Sequence, residues 1–329
     1  MHFDFDAAVG APFRMQPGLR RLAAGSPQLT PLAPGSRHQR EKLAVLTAFW
    51  PQALVQVEGF DAHPALGALC THAAAEHPGA WQWDGTRAHA LHLGTATDVH
   101  GTVEQTATGV FGLGDEVARC LQVLPANWRL AGLLSLAFAE DFAVVDGRHG
   151  TIPWLAVALP SHWAPEAKVG HHFATVHAPV ADNTLLLKAA DSLTRLVCGE
   201  DRWERFVWNV TDQPRLHAHP ARMGAERWHQ TRVQQAWWRT ERQTFIPVPA
   251  PSAHAAAAPQ AVFTIHVQVQ ALVDALDTPA RAQAVHDAIA SMSPAVLAYR
   301  GLQPVREDLL QWLAERATAP TLPGAITSR

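Results

Sequence analysis

Cysteine is scarce in this chain of 329 residues: Cys70, Cys120 and Cys198 stand far apart, with no CxxC pair. That spacing excludes a disulfide framework, an iron–sulfur site and a cysteine-based zinc knuckle, and it fits a reducing compartment. Charge is also sparse, at 17% of residues, with 26 Lys and Arg against 29 Asp and Glu and a net charge of -3. No basic block is long enough to follow a phosphate backbone, so nucleic acid is not an expected partner. No apolar run reaches the ~18 residues of a membrane span. The opening MHFDFDAAVG carries acids where a secretory leader carries Lys or Arg, so a soluble, cytoplasmic protein is expected. The GxSxG elbow, the GxxxxGK[ST] phosphate loop and the HExxH zinc helix are all missing. Gly109, Gly112 and Gly114 form GxxGxG, but polar residues precede them where a dinucleotide fold needs a buried strand.

Apolar residues make up 48% of the chain, enough for a sizeable core, and at roughly 150 residues per domain the length suits two domains or one elaborated domain. The second is expected: one domain over 1–329, with an extended arm over 1–40 and closing helices over 278–329. The arm follows from the Pro, Gly and Ser of residues 12–35. Apolar spacing predicts helices over 40–50, 61–77, 113–124 and 130–145, with Asp61 as an N-cap. The compact run 154–159, stopped by Pro160, reads as a buried strand. Helical spacing returns over 170–177 and 184–197. Three runs rich in β-formers follow, at 205–211, 236–248 and 261–269. The Pro/Ala segment 249–260 between the last two predicts a long-tipped antiparallel hairpin. Helices are expected again over 278–292 and 305–317, before a frayed tail.

What the chain has in quantity is 19 His and 12 Trp, against a single Tyr. The pairs His89/His92 and His217/His219 have metal-ligand spacing but no carboxylate or Cys cluster beside them in the sequence, so hydrogen-bonded histidines are the plainer expectation. The densest cluster is PSHWAPEAKVGHHFATVHAPV, residues 160–180, where Trp163, Lys168, His171, His172 and His177 fall close together on a strand end and a short helix. A pocket lined this way can hold a flat cofactor. The second cluster is WWRTERQTFIPV, residues 237–248. Period-two alternation sends Arg239 and Glu241 to one face of that strand and Arg242 to the other. Glu241 and Arg242 suit either a buried ion-pair network between layers or recognition of a cofactor or substrate amine.

These segments resemble the haem-dependent oxidative N-demethylase family, whose alpha subunit includes dimethylamine monooxygenase. The likeness is carried by PSHWAPEAKVG, TVHAPV, WWRTERQTFIPVP and VFTIHV, in that order. PFRMQPGLRRL, AEDFAVV, RFVWNV and LAYRGL agree more loosely. The resemblance implies an α+β fold: a PAS-like, five-stranded antiparallel sheet whose flanking helices hold haem b, with N- and C-terminal helical elaborations. It also implies iron held by an axial His, dioxygen hydrogen-bonded by an acidic residue, and a methyl group leaving a small secondary or methylated amine as formaldehyde.

Carried onto this sequence, the resemblance makes His177 the axial metal ligand, with His171 and His172 as alternatives and Cys198 a poorly motivated one. A neutral imidazole supplies the lone pair that iron takes. The absence of CxxCH excludes covalent haem. Asp141 is the candidate distal acid, its alternative being a surface or capping carboxylate of the Glu140–Asp141 pair; in an apolar pocket its pKa would rise and it would donate to bound oxygen. Lys168 and Arg242 are candidates for the haem propionates, although a solvated Lys168 is nearly as well supported. Trp163 and Glu241 complete the cofactor-binding set. Reducing equivalents are expected from NAD(P)H through a separate flavin or iron–sulfur reductase, since the chain has no such motif of its own. A folate site is left open, with no residues assigned. The competing class is a haem-binding PAS-type gas or redox sensor, which the lack of a recognisable output segment disfavours. A relative that has lost haem and serves as a structural subunit is a third reading. Departures from the family pattern are the alanine-rich insertion before VFTIHV and the missing second Pro after HAPV.

Overall fold

The computed structural model describes residues 3–224, 227–229, 231–249 and 259–318. Its centre is a seven-stranded, wholly antiparallel sheet. Numbering the strands along the chain, it contains β1 (Arg20–Arg21), β2 (Leu54–Gln56), β7 (Asp141–Asp146), β8 (Thr151–Ala156), β9 (Trp203–Thr211), β10 (Trp237–Val248) and β11 (Gln260–Ala271). Their spatial order is β1-β9-β10-β11-β7-β8-β2. β10 and β11 form the predicted hairpin, paired from Trp237↔Ala271 to Val248↔Gln260; most of the predicted tip, 250–258, lies outside the described residues. A second sheet of four short strands, β3 (Trp81–Trp83), β4 (Arg87–Ala90), β5 (Thr95–Asp98) and β6 (Val103–Gln105), had no counterpart in the sequence reading. These strands are three or four residues long, too short for apolar alternation to register.

The helix predicted over 130–145 is two elements. Helix Arg129–Ala137 ends where Phe138 turns extended, and β7 begins at Asp141. Tertiary hydrogen bonding decides this break. Pro31 bridges Phe138, Ala139 N–H donates to Thr30 O at 2.9 Å, and the buried Lys42 ammonium holds the carbonyls of Phe138 and Glu140. None of these partners is near in sequence, so local apolar spacing misleads. Helix Phe173–His177 is shorter than the predicted 170–177, because residues 170–173 run along the outer edge of β8 instead. Gly170 N–H donates to Ile152 O at 2.8 Å and Phe173 N–H to Gly150 O at 2.7 Å. Gly150 has φ +64, and a Cβ there would lie 2.6 Å from His172 Nε2, so a glycine is what lets the two segments close.

The remaining helices follow their caps. Ser36 caps Arg37–Ala48, and Thr278 and Ser293 cap Pro279–Ala290 and Pro294–Tyr299, each helix opening on proline in the latter two. Asp61 accepts from His63 N–H at 3.0 Å, although helix His63–Glu76 starts after Ala62. The arm lies on the body through β1 and the Pro31 bridge. One face of the large sheet, with Phe142, Val144, Trp154, Ile246 and Val262, packs on Leu69 and Leu133 in the main core. The other, which we call the outer face, carries Phe245 and Phe263 and is covered by Val197 and Cys198 and by Trp163 and Val169. Among the described residues no helix is long and apolar enough to cross a membrane.

Candidate functional site

β10 joins the two sequence clusters. Arg239 donates to Ser161 Oγ at 2.7 Å, to Leu216 O at 2.7 Å, to Arg215 O at 3.0 Å and to Pro160 O at 3.2 Å. It therefore fixes the segment carrying Ser161, His162 and Trp163 over one end of the outer face. Burial pulls its pKa down to about 10, which still leaves a full charge at neutral pH. His162, held at φ 63, sits beside this hub, and burial with the nearby charges of Arg227 and Arg239 lowers its pKa to about 3. A non-glycine residue in that region of φ is uncommon, and here it is imposed by the bond from His162 N–H to Ala218 O at 3.0 Å.

From the edge of β8 the chain turns into helix Phe173–His177, which buries none of its residues. The His177 Nδ1 lies 2.8 Å from Phe173 O. A carbonyl only accepts, so Nδ1 carries the proton and Nε2 keeps its lone pair. Burial, aided by the charges of Arg205 and Lys168, pushes the pKa of His177 down to about 4, so the ring is neutral at neutral pH. The Phe173 ring packs on it with centroids 4.0 Å apart. Lys168 donates to Val176 O at 3.0 Å and has a lowered pKa through burial. Trp163 is half-buried against the apolar cluster of the outer face.

Below this helix the outer face is polar along β9 and β10. Arg205 of β9 pairs in register with Gln243 of β10, and Gln243 with Ile265 of β11. Glu241 accepts from Gln243 Nε2 at 2.6 Å. Gln243, Val207 and Phe263 are only partly buried although they lie on interior strands or beside them, so helix Phe173–His177 does not seal the face. His177, Lys168, Arg205 and Glu241 are thus the groups that the fold gathers here. Arg205 was absent from the sequence reading. Its signal was available, since RFVWNV alternates as a strand and places Arg205 opposite Gln243.

Arg242 stands on the other face of β10. Its guanidinium meets Glu204 at 2.9 Å and Pro27 O at 2.8 Å, on the side where the arm packs, so the structure does not bring it to His177. Asp141 opens β7 and is fully buried. Its Oδ1 lies 3.2 Å from Lys42 Nζ and its Oδ2 accepts from Leu159 N–H at 2.7 Å, so its surroundings are an ammonium and an amide rather than apolar side chains. Glu140 beside it accepts from Thr30 N–H and meets His266 Nδ1 at 2.8 Å. Burial alone would raise Glu140, but the His266 contact together with the backbone N–H groups of Thr30 and Glu140 itself holds the carboxyl below the usual range. Lys42, His266 and His38, whose ring is 5.6 Å from that of His266, form a buried polar cluster that no sequence motif announced.

The other candidates are placed elsewhere. His171 is exposed, and His172 caps its helix through Nδ1 while its Nε2 meets Asp191 at 3.3 Å. Cys198 is buried and its thiol is pushed up to about 12 by burial, which leaves no thiolate. His89 bonds Thr106, His92 bonds Ala80 O, His217 bonds Ala158 O, and His219 meets Glu166 at 3.1 Å. Among the described residues no three His, Cys, Asp or Glu side chains converge as a metal site. A shallow surface depression lined by Pro34, His92, Phe111 and Val117 among others shares no residue with the His177 group.

Residues 115–310 match the family model described as haem-dependent oxidative N-demethylase, alpha subunit-like. That span is more than half of the chain and contains every candidate residue from Asp141 to Arg242. No curated protein matches the chain.

Proposed function

The chain belongs to the haem-dependent oxidative N-demethylase, alpha subunit-like, family, and from that premise we propose that it holds haem b at the outer face through His177 and demethylates a small secondary or methylated amine. The observation that carries the reading is the state of His177: a neutral ring, its Nδ1–H tied to the Phe173 carbonyl, its Nε2 free to ligate. A hydrogen-bonded carbonyl on the far nitrogen is the usual support of a metal-ligating imidazole. The strand order β8-β7-β11-β10-β9, with helices Phe173–His177 to Ala190–Val197 crossing between β8 and β9, supports a PAS-like arrangement around the cofactor.

Haem, when bound, supplies the oxygen activation and C–H oxidation that no side chain can perform. The overall change takes R₂N–CH₃, O₂, two electrons and two protons to R₂NH, formaldehyde and water. One oxygen atom enters a methyl C–H bond; the other leaves as water. The electrons come from a separate reductase drawing on NAD(P)H. The protein's own residues bind, orient and exclude. Glu241, buried and bonded to Gln243, presents a carboxylate to a protonated amine. Trp163 and Phe173 give apolar walls that limit water. Asp141 is the proposed distal acid, a fully buried carboxyl held 3.2 Å from the Lys42 ammonium.

An absorption spectrum of purified protein, oxidised and then reduced under CO, tests the cofactor assignment. We expect a Soret band that is lost in His177→Gly and returns on adding imidazole; a band unchanged in that variant would reject His177. Formaldehyde release from methylated amines, with a reductase and NADPH present, tests the reaction.

A further inference from the structure

Among the described residues the buried arginines are all bonded, and the half-buried Arg205 is not. Arg239 meets four backbone carbonyls and Ser161. Arg242 meets Glu204 and Pro27 O. Arg300 lies over the rings of Phe13 and Trp208 and donates to Asn209. Arg205 has no hydrogen bond or ion pair among the described residues, and its Nε is shut off from solvent without a partner. Burial lowers its pKa, with Glu241 and Tyr299 opposing the change only in part.

A guanidinium whose Nε–H is buried without a partner is costly, because that donor loses water and gains nothing, while its terminal nitrogens stay within reach of solvent and of a ligand. Glu241 is near enough to be felt, but it does not reach ion-pair distance and accepts instead from Gln243. Lys168 adds a second cation near His177, bonded to a backbone carbonyl. The outer face therefore holds an unmatched positive charge beside the candidate ligand, at a place the covering helix leaves open. The fork geometry of a guanidinium selects a planar two-oxygen anion, with which it forms two parallel hydrogen bonds.

We propose that Arg205 is a carboxylate receptor beside His177, and that its carboxylate is a propionate of the bound porphyrin. The inference rests on the haem reading above and adds the residue that sets the porphyrin's orientation. A carboxylate on the amine substrate, as in an N-methylated amino acid, is the other source of the same chemistry.

The experiment titrates apoprotein with hemin and with hemin dimethyl ester, whose propionates are esterified, and follows the Soret band. Wild-type protein should bind hemin at least tenfold more tightly than the ester. Arg205→Met should remove that preference while leaving the Soret position, and so His177 ligation, unchanged; Arg205→Lys should keep part of it. The ester arm needs no variant, so it stands even if a substitution impairs folding. Equal binding of hemin and ester by wild-type protein overturns the propionate assignment. In that event, ferric spectral titrations with N-methylglycine and with dimethylamine decide the receptor itself. A preference for N-methylglycine lost in Arg205→Met assigns the carboxylate to the substrate; no preference overturns the receptor altogether. Failure of wild-type protein to bind hemin or its ester defeats the underlying haem reading, an outcome distinct from all of these.

Discussion

Lys42 and Asp141 meet at 3.2 Å, each fully buried. Breaking such a pair from one side strands the other charge, so Lys42→Met or Asp141→Asn should each cost about 3–5 kcal/mol of stability. Removing both together, as Lys42→Met with Asp141→Leu, should cost clearly less than the sum; additive losses in urea denaturation would show that the pair is not coupled. His162 gives a second test. Its folded pKa, about 3, lies below the ordinary 6.5 of the unfolded chain. Above pH 6.5 both states are neutral there and nothing changes. Between 6.5 and about 3 the unfolded state binds the proton and the folded state does not, so stability falls as pH falls through that window. From pH 7 to pH 5 the contribution is about 2 kcal/mol. His162→Asn, which tolerates positive φ, should flatten the dependence by that amount, and an unchanged slope would refute the assignment. The alternation of Arg239, Glu241 and Arg242 was readable from spacing, because a strand's period is two. Asp141's partner was not, because Lys42 lies far along the chain and only packing unites them.

Among the elements, the β10–β11 hairpin and helix Phe173–His177 are opposites. The hairpin is paired over its whole length at the centre of the sheet, whereas the helix is one turn with no fully buried residue. Hydrogen exchange of the apoprotein should therefore be slow in β10 and β11 and fast over residues 173–188. Adding hemin should slow exchange in that helical stretch by at least tenfold; no change there, with hemin bound, would place the cofactor elsewhere. Strands of twelve residues were legible from their β-formers, and the capped helices from Ser36, Thr278 and Ser293. The small sheet and the break at Phe138 were not, because both are decided by long-range hydrogen bonds rather than by local propensity.

At the scale of the whole molecule, the family match covers 115–310, yet the core reaches beyond it at both ends. Val45, Leu46, Leu69 and Trp81 pack in the same cluster as Leu133, Phe138 and Phe142, and the Trp81 and Phe138 rings lie 5.6 Å apart. Trp312 and Leu313 close the second cluster against Ile289. A fragment limited to 115–310 would lose these contacts and leave Asp141 without Lys42. We expect it to bind ANS and to lack a near-ultraviolet circular dichroism signal, while the full chain unfolds cooperatively. A native-like fragment would mean that the outlying segments are dispensable.

By itself, the order of residues determined the family, the alternating faces of the long strands and the presence of His177 on a short helix, because those rest on local pattern and on sequence blocks. Only the tertiary structure decided which charges meet. It gave Arg242 to Glu204, Asp141 to Lys42 and, among the described residues, no partner to Arg205, since ion pairing depends on which segments pack together, and burial makes each such choice energetically large.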